Sequence, residues 1–401
     1  MNHNVLAMKQ LFLIKQQSKP YKLSKFIDEM QQLKDCRDNR GKRHKLAFVV
    51  CSVTLAILSG RAKLSSIQRY MANRIDWLRK ITVESEAQVV SRAQLPRILS
   101  RLDRPAVNMI TSKHFGIRLI ETSEGDWKAI DGKTLRGTLD EQGNQRTRIV
   151  TAVNHASREN EAQCEFDSTK KGEITAVRTF LQETGLEKAN ITLDALHLNP
   201  TTTSQIEQAG GHYIIQAKQN QPELCETLTT VANTAIPTAI LNSAEQGQGR
   251  QEERWAWFFD LANVPLDGRW QQSNLQTLIV ILPQTTESSR SSSSPKISLA
   301  LSYYLSNYSL TTEAHIQPLS LFQAVRRHWG VESNNWIRDV TFQEDLVHTK
   351  DPHLAQLLAS LRTFAIRLLR QAAIPNFQAA LERFTDCPKH FSDFLHDARV
   401  L

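Results

Sequence analysis

The order of strand and helix patterns between residues 127 and 218 constrains the fold more than any other feature of the chain. Strand-like alternation of apolar residues occurs three times in succession, and a helix, a strand, a helix and a final strand follow. This order predicts a mixed α/β sheet with helices packed against it. The predicted strands are 127–131, 148–154, 161–167, 190–194 and 212–218, and the predicted helices are 174–186 and 202–209.

Two aspartates stand where predicted strands end. Asp131 lies in Ala-Ile-Asp-Gly-Lys-Thr-Leu-Arg-Gly, where Gly132 lets the backbone turn away, and Asp194 lies in Ile-Thr-Leu-Asp-Ala-Leu-His. Asp-Gly alone is also a common hairpin signal. The order of elements is typical of an RNase H-like core, in which the first and fourth strands are neighbours. We therefore expect the two carboxylates to lie close enough to share a hard cation such as Mg²⁺.

A third acid is expected from a helix further along the chain. A helical pattern begins at Pro318, which suits a first-turn position, and continues through Trp336. Glu332, in Arg-Arg-His-Trp-Gly-Val-Glu, is the best placed acid on it, and the alternative is an ordinary surface acid. Trp329 and Trp336 are interpreted as core-packing residues of the same helix.

Residues 222–317 interrupt the α/β pattern and are interpreted as an inserted, mainly β segment. Strand patterns occur at 254–261, 275–282 and 298–305. The Ser-rich stretch 287–296 has too little apolar content to order itself, so a mobile loop is expected there. The RNase H-like core would then consist of residues 121–221 and of the helices in residues 318–401, including 352–373 and 376–384.

Residues 1–120 are strongly basic, with 23 Lys and Arg against 8 Asp and Glu, whereas the remaining residues carry 26 against 33. Three-to-four spacing predicts helices at 22–33, 46–58, 64–81 and 93–102, the last with Ser91 as its N-cap. This asymmetry favours a helical N-terminal domain that binds a polyanion, with Arg97 and Arg101 on a candidate recognition helix. A helical packing domain with a solvated basic surface is the alternative.

Other classes of protein fit the sequence poorly. The five cysteines are far apart and form no Cys-x-x-Cys pair, so neither a disulfide framework nor a zinc knuckle is predicted. The longest apolar run, residues 46–59, is shorter than the roughly 18 residues of a membrane span. No signal-peptide cleavage site follows the apolar residues 11–14. A cytoplasmic, nucleoid-associated setting is expected.

Five ordered blocks of the chain, with a sixth upstream, resemble one known family. The blocks are Asp131-Gly-Lys-Thr-Leu-Arg-Gly, Asp194-Ala-Leu-His, Lys218-Gln-Asn-Gln, Gly249-Arg-Gln-Glu-Glu-Arg, and His328-Trp-Gly-Val-Glu with Asp339-Val-Thr-Phe-Gln-Glu-Asp. Together with Asp38-Asn-Arg-Gly-Lys-Arg-His-Lys-Leu, they resemble the ISAs-type insertion-sequence transposases of the DDE class, which include the H-repeat-associated proteins. Gln248 departs from the family pattern, where His is usual, and Ser333-Asn-Asn-Trp replaces a common Asn-x-x-His-Trp.

The resemblance implies that Asp131, Asp194 and Glu332 are both the catalytic residues and the metal ligands. The expected cofactors are two Mg²⁺ or Mn²⁺ ions, and the expected partner is double-stranded DNA, both the terminal repeats of the element and the target. A homodimer on DNA is also expected, although no coiled-coil heptads are visible. The candidate DNA contacts besides Arg97 and Arg101 are Lys133, Arg136, Lys218, Arg250, Arg326 and His328.

Three functions therefore remain open at the level of sequence. The first is a transposase that cleaves insertion-sequence ends and transfers the strands into target DNA. The second is a transposase-derived protein that binds DNA without cutting it. The third is a metal-dependent nuclease that does not join strands.

Overall fold

A computed structural model describes residues 28–35, 37–38, 42–114, 126–138, 147–167, 170–247, 250–287, 296–310 and 318–397. The helices named here are α1 Leu46–Leu58, α2 Leu64–Asn73, α3 Ile75–Thr82, α4 Gln94–Leu99, α5 Arg104–His114, α6 Lys170–Thr184, α7 Pro200–Gln208, α8 Pro222–Thr234, α9 Pro318–Trp336, α10 Pro352–Gln371, α11 Phe377–Asp386 and α12 Pro388–Asp397. The strands are β1 Trp127–Thr134, β2 Thr147–Asn154, β3 Asn160–Asp167, β4 Asn190–Leu193, β5 His212–Ala217, β6 Ala239–Gly247, β7 Arg250–Asp260, β8 Thr277–Glu287, β9 Lys296–Leu299 and β10 Ser302–Ser306.

The described residues divide into two compact units. One takes its residues from Met1–Arg118, Thr134–Thr147 and Trp336–Leu401, and the other from Leu119–Lys133 and Arg148–Asn335. We call them the helical unit and the sheet unit. This division differs from the predicted boundaries, because residues after Trp336 were expected to complete the α/β core and instead share a core with the N-terminal helices.

The helical unit is organised around α1. All residues of this helix are buried and none is charged, and a helix that is apolar on every side must be surrounded by other elements. Apolar residues of α10, α11 and α12 belong to the same buried cluster as α1. Asp351 begins α10 by accepting hydrogen bonds from the His353 and Leu354 N–H groups at 2.9 and 3.3 Å. The C-terminal helices therefore complete the core of the N-terminal ones.

A buried ion pair lies in the helical unit. Both Nε and Nη2 of Arg338 donate to the Glu344 carboxylate at 2.9 Å, and both side chains are almost fully buried. The pair is bidentate, which is the strong geometry for guanidinium and carboxylate.

Residues 136 and 137, which follow β1, pack closely against other residues of the helical unit. A Cβ at Gly137 would overlap the Val347 carbonyl oxygen, so only glycine fits there. The Arg136 N–H donates to Asp345 at 3.2 Å. Two of the motifs that define the family resemblance therefore meet in this unit.

The sheet unit contains one mixed sheet. Its strand order is β3-β2-β1-β4-β5-β10-β8-β7-β6, with β9 paired to β8. β4 runs parallel to both β1 and β5, and β10 runs antiparallel to β5. Buried residues of α6, α7 and α8 pack on this sheet. The predicted mixed α/β class is confirmed.

The inserted segment extends this sheet. β6 pairs with β7, β7 with β8, and β8 with β10, all antiparallel. β10 then joins these strands to β5. Strands were predicted at 254–261, 275–282 and 298–305, and the structure places β7, β8, and β9 with β10 there; β6 and α8 were not predicted. Of the predicted Ser-rich loop, residues 288–295 lie outside the described residues.

Several predicted helices begin or end elsewhere. The predicted helix 64–81 is two helices, because Arg74 leaves helical geometry with φ −120° between α2 and α3. The predicted helix 93–102 is the shorter α4, whose N-cap is Ala93 and not the predicted Ser91, although the Ser91 hydroxyl accepts a hydrogen bond from the Gln94 N–H. Asp103 then starts α5, which was not predicted, by accepting from the Ala106 N–H at 3.0 Å. Of the predicted helix 22–33, residues 28–31 are helical and residues 22–27 lie outside the described residues.

The interpretation of Trp329 and Trp336 as core residues was wrong. Trp329 is 64% exposed and Trp336 is 60% exposed. Helical spacing locates a residue on a face but does not say whether another element covers that face.

The described helices include none that is both long and apolar enough to cross a membrane.

Val83 offers a test of backbone strain in the helical unit. It follows α3 with φ 58° and is 82% exposed, so a β-branched residue occupies the left-handed region without burying its side chain. We expect Val83→Gly to raise the free energy of unfolding by about 1 kcal/mol, because glycine adopts this conformation without a Cβ clash. Chemical denaturation would measure it.

Val89 is the matched control. It is 38% exposed and is not among the residues with positive φ. We expect Val89→Gly to lower stability, since glycine only adds freedom to the unfolded chain there. Equal effects of the two substitutions would contradict the role assigned to strain at Val83.

Candidate active site

The parallel pairing of β1 with β4 places two acids side by side. In the register of this pair Ile130 lies opposite Leu193, so Asp131 and Asp194 are the next residues on the two strands. Neighbouring strands are about 4.8 Å apart. The two acids therefore lie side by side where β4 ends, as predicted, but β1 continues to Thr134, so the predicted turn of the backbone at Gly132 does not occur.

Asp194 turns the chain out of β4. Its Oδ1 accepts from the Leu196 N–H at 3.2 Å and starts the single turn Ala195–His197. This turn brings His197 back beneath the aspartate, with Nε2 at 3.6 Å from Asp194 Oδ1. Nearly half of the Asp194 side chain stays exposed, so the carboxylate is accessible from solvent.

Asp131 lies in an unfavourable electrostatic environment. Burial, together with the charges of Asp194, Glu173 and Glu332, raises the pKa of its carboxyl to about 7, although a hydrogen bond from the Gly132 N–H acts in the opposite direction. Asn335 Nδ2 donates to Asp131 Oδ2 at 2.9 Å. Negative charges raise the pKa of a carboxyl only when they lie close to it. The carboxylates of Asp194, Glu173 and Glu332 therefore lie close enough to Asp131 to raise its pKa.

Helix α9 carries Glu332 and is fixed to the sheet by uncharged contacts. His328 Nδ1 is 2.8 Å from the Thr192 hydroxyl on β4, and His155 Nε2 is 3.1 Å from the same hydroxyl. Burial lowers the pKa of His328 to about 4 and that of His155 to about 3, so both rings are neutral near pH 7. Asn334 Nδ2 donates to Asn160 Oδ1 on β3 at 2.9 Å.

These contacts set where Glu332 stands. Val331, next to it, packs into a small buried cluster with Ala129 of β1 and Val153 of β2. Glu332 itself is exposed. Burial raises the pKa of its carboxyl while the charge of Lys218 lowers it, which places Lys218 nearby. The predicted third acid is therefore directed to solvent beside the two aspartates, and its role as a ligand stays a prediction.

A fourth acid, Glu173, was not predicted. It lies in the first turn of α6, where the Arg148 guanidinium donates to its Oε2 at 3.0 Å. A Cβ built on Gly132 would lie 2.7 Å from Glu173 Oε1. No local motif marks Glu173 in the sequence, because its position depends on how α6 packs on the sheet.

The predicted DNA contacts have varied surroundings. Lys218, Arg136, Arg97 and Arg101 are exposed, as a phosphate contact requires. Lys133 is only 8% exposed, which does not fit the predicted contact. The remaining three differ again: Arg326 is paired with Glu245, His328 bonds to Thr192, and the Arg250 side chain lies outside the described part of the chain.

The donors suit a hard divalent cation. Carboxylate oxygens are the ligands that Mg²⁺ and Mn²⁺ prefer, and a cation would relieve the repulsion that raises the pKa of Asp131. Within the described ranges, no three His, Cys, Asp or Glu side chains already form a group that could chelate an ion. The side chains fit the ion by chemistry and charge.

Comparison with known proteins identifies the family. The family described as "Transposase DDE domain" matches residues 122–368, and the one described as "DDE_Tnp_1-associated" matches residues 27–115. The chain belongs to the DDE transposases. Its fold is therefore RNase H-like, its role is that of a transposase, and transposases act on DNA; the DDE domain generally uses divalent metal ions.

The chain is also similar to individual transposases over most of their length. The chain is 24% identical to the H repeat-associated putative transposase YhhI of Escherichia coli K12, over 90% of this chain and 94% of that protein. It is also 24% identical to the putative transposase YncI of Escherichia coli O157:H7, over 87% of this chain and 88% of that protein. The resemblance to H-repeat-associated transposases is thereby confirmed.

The raised pKa of Asp131 gives a prediction about the metal-free protein. A carboxyl whose pKa rises from 3.8 to about 7 on folding destabilises the fold at pH values above its ordinary pKa. We expect Asp131→Asn in the presence of EDTA to stabilise the protein at pH 8 by on the order of 2 kcal/mol, with the gain fading between pH 7 and pH 4.

Thermal unfolding at a series of pH values measures this effect. Glu226→Gln, an exposed acid on α8, is the control and should show no such pH-dependent gain. A stabilisation by Asp131→Asn that is the same at pH 4 and pH 8 would show that charge repulsion is not its cause.

Proposed function

We propose that this protein cleaves DNA at the ends of an insertion sequence and transfers the freed ends into target DNA, with Asp131, Asp194 and Glu332 as metal ligands. The observation that carries the proposal is the placement of Asp131 and Asp194 side by side on adjacent parallel strands, where burial and the charges of neighbouring acids raise the pKa of Asp131 to about 7. Membership of the DDE transposases supports it.

The acids would hold two Mg²⁺ or Mn²⁺ ions. Such ions, when bound, activate water and neutralise charge on a phosphodiester. Asp131 within β1 and Asp194 directly after β4 orient the site, and Glu332 closes it from α9. Water attacks the phosphorus at the end of the element and releases a 3′-hydroxyl; that hydroxyl then attacks a target phosphodiester and displaces the target's own 3′-oxygen. Both steps need positioning above all.

Cationic residues would bind the DNA backbone. Lys218 lies near Glu332 in the sheet unit, so it would contact phosphate at the reacting end. In the helical unit Arg97 lies on α4 and Arg101 lies just after it, and both are exposed. They would bind the flanking duplex. A homodimer would hold the two ends of the element together.

Alanine substitution of each aspartate tests the proposal. We expect Asp131→Ala and Asp194→Ala to reduce Mg²⁺-dependent cleavage of DNA carrying the terminal repeats by at least about 1000-fold, because each removes a ligand from the shared site. Glu226→Gln should cleave like the wild type. Gel assays with labelled oligonucleotides would follow cleavage and joined products separately.

The outcomes separate the competing functions. Undiminished cleavage by either alanine variant would remove the proposed site. Wild-type protein that binds the ends but never cuts them would favour a DNA-binding role without catalysis. Cleavage without joined products would indicate a nuclease.

A further inference from the structure

We propose that Glu173 is a fourth carboxylate of the metal centre, oriented by Arg148, accommodated by Gly132, and faced together with Asp194 by the buried His197. The inference rests on the proposed function, and it adds to the three acids a residue that neither the sequence motifs nor the family resemblance indicates.

The first argument is the way Glu173 is held. Its Oε2 accepts from Arg148 Nη1 at 3.0 Å, and this fixes the direction of the carboxylate. Its Oε1 then faces the backbone immediately after Asp131, where a Cβ on residue 132 would come to 2.7 Å. Glycine at this position therefore leaves the space that Oε1 occupies, directly after Asp131 on β1.

The second argument comes from a buried imidazole. His197 is 1% exposed, and its Nε2 lies 3.6 Å from Asp194 Oδ1 and 4.0 Å from Glu173 Oε1. Neither of its ring nitrogens has a hydrogen-bond partner among the residues that the structure describes. A buried polar group without a partner is costly, and this one points at the gap between the two carboxylates.

A bound, hydrated cation would give the Glu173 carboxylate a positive partner and the buried His197 ring a hydrogen-bond partner. Water molecules around a divalent ion donate hydrogen bonds to carboxylates and to the unprotonated nitrogen of a neutral imidazole, so they would occupy the gap that His197 faces. Mg²⁺ in particular keeps several waters when it binds to proteins. Glu173 can thus act on the ion directly or through its water, and either contact draws on its negative charge.

Direct measurement of Mn²⁺ binding tests this role without any catalytic assay. We expect Glu173→Gln to raise the Kd for Mn²⁺, measured by isothermal titration, by about 10- to 100-fold. The rise in melting temperature that Mn²⁺ produces in the wild type should shrink in parallel. Each variant is compared with itself in EDTA, so a change in the stability of the metal-free fold does not count.

Glu183→Gln on the same helix is the matched control, and it should bind Mn²⁺ like the wild type. Glu173→Asp, which keeps the charge on a shorter side chain, should retain more affinity than Glu173→Gln. Wild-type affinity in Glu173→Gln, or equal losses in Glu173→Gln and Glu173→Asp, would overturn the inference.

Asp131→Asn and Asp194→Asn separate this inference from the proposed function. If both weaken Mn²⁺ binding while Glu173→Gln does not, the three-acid site stands and only the fourth ligand is rejected. If none of these variants alters Mn²⁺ binding, the proposed metal centre fails and the role of Glu173 fails with it.

Discussion

The parallel pairing of β1 with β4 is the constraint on which the site depends. It brings the Asp131 and Asp194 carboxylates together, and burial and the charge of Asp194 raise the pKa of Asp131 to about 7. The backbone hydrogen bonds of two central strands and the apolar cluster beneath them, including Ile130, Ile191 and Leu193, hold the acids in place. Folding energy from the core therefore maintains an arrangement that the acids alone would not adopt.

The third acid is positioned by a different kind of interaction. α9 is joined to β4 through His328 and Thr192, to β3 through Asn334, and to Asp131 through Asn335. All of these donors and acceptors on the helix are neutral, so they fix its rotation without adding charge to an already acidic site. A turn of α9 by one residue would break every one of these bonds, since each residue rotates the helix by about 100°.

Local signals explain what the sequence could predict. Asp131 and Asp194 each come after a short apolar run, so their closeness could be predicted from strand patterns, although β1 continues past Asp131 to Thr134. The sheet class followed from the element order. Glu173, His197 and Thr192 depend on which strands become neighbours, and no short motif carries that information. Trp329 and Trp336 were wrongly predicted to be buried, because periodicity shows which residues share a helix face but not whether another element packs against that face. The helices after Trp336 were predicted to complete the α/β core for the same reason, since an amphipathic helix does not specify which element it packs against.

The position of β10 has a consequence for how the chain reaches this fold during synthesis. After β5 the chain passes to the far edge of the sheet at β6 and returns through β7 and β8, so the strand that covers β5 is the last one made. Domains fold progressively as the chain emerges from the ribosome. Until residue 306 has emerged, the β5 edge exposes its backbone donors and acceptors, which makes the nascent sheet prone to mispairing with other chains. The insertion therefore closes the sheet that the earlier strands leave open.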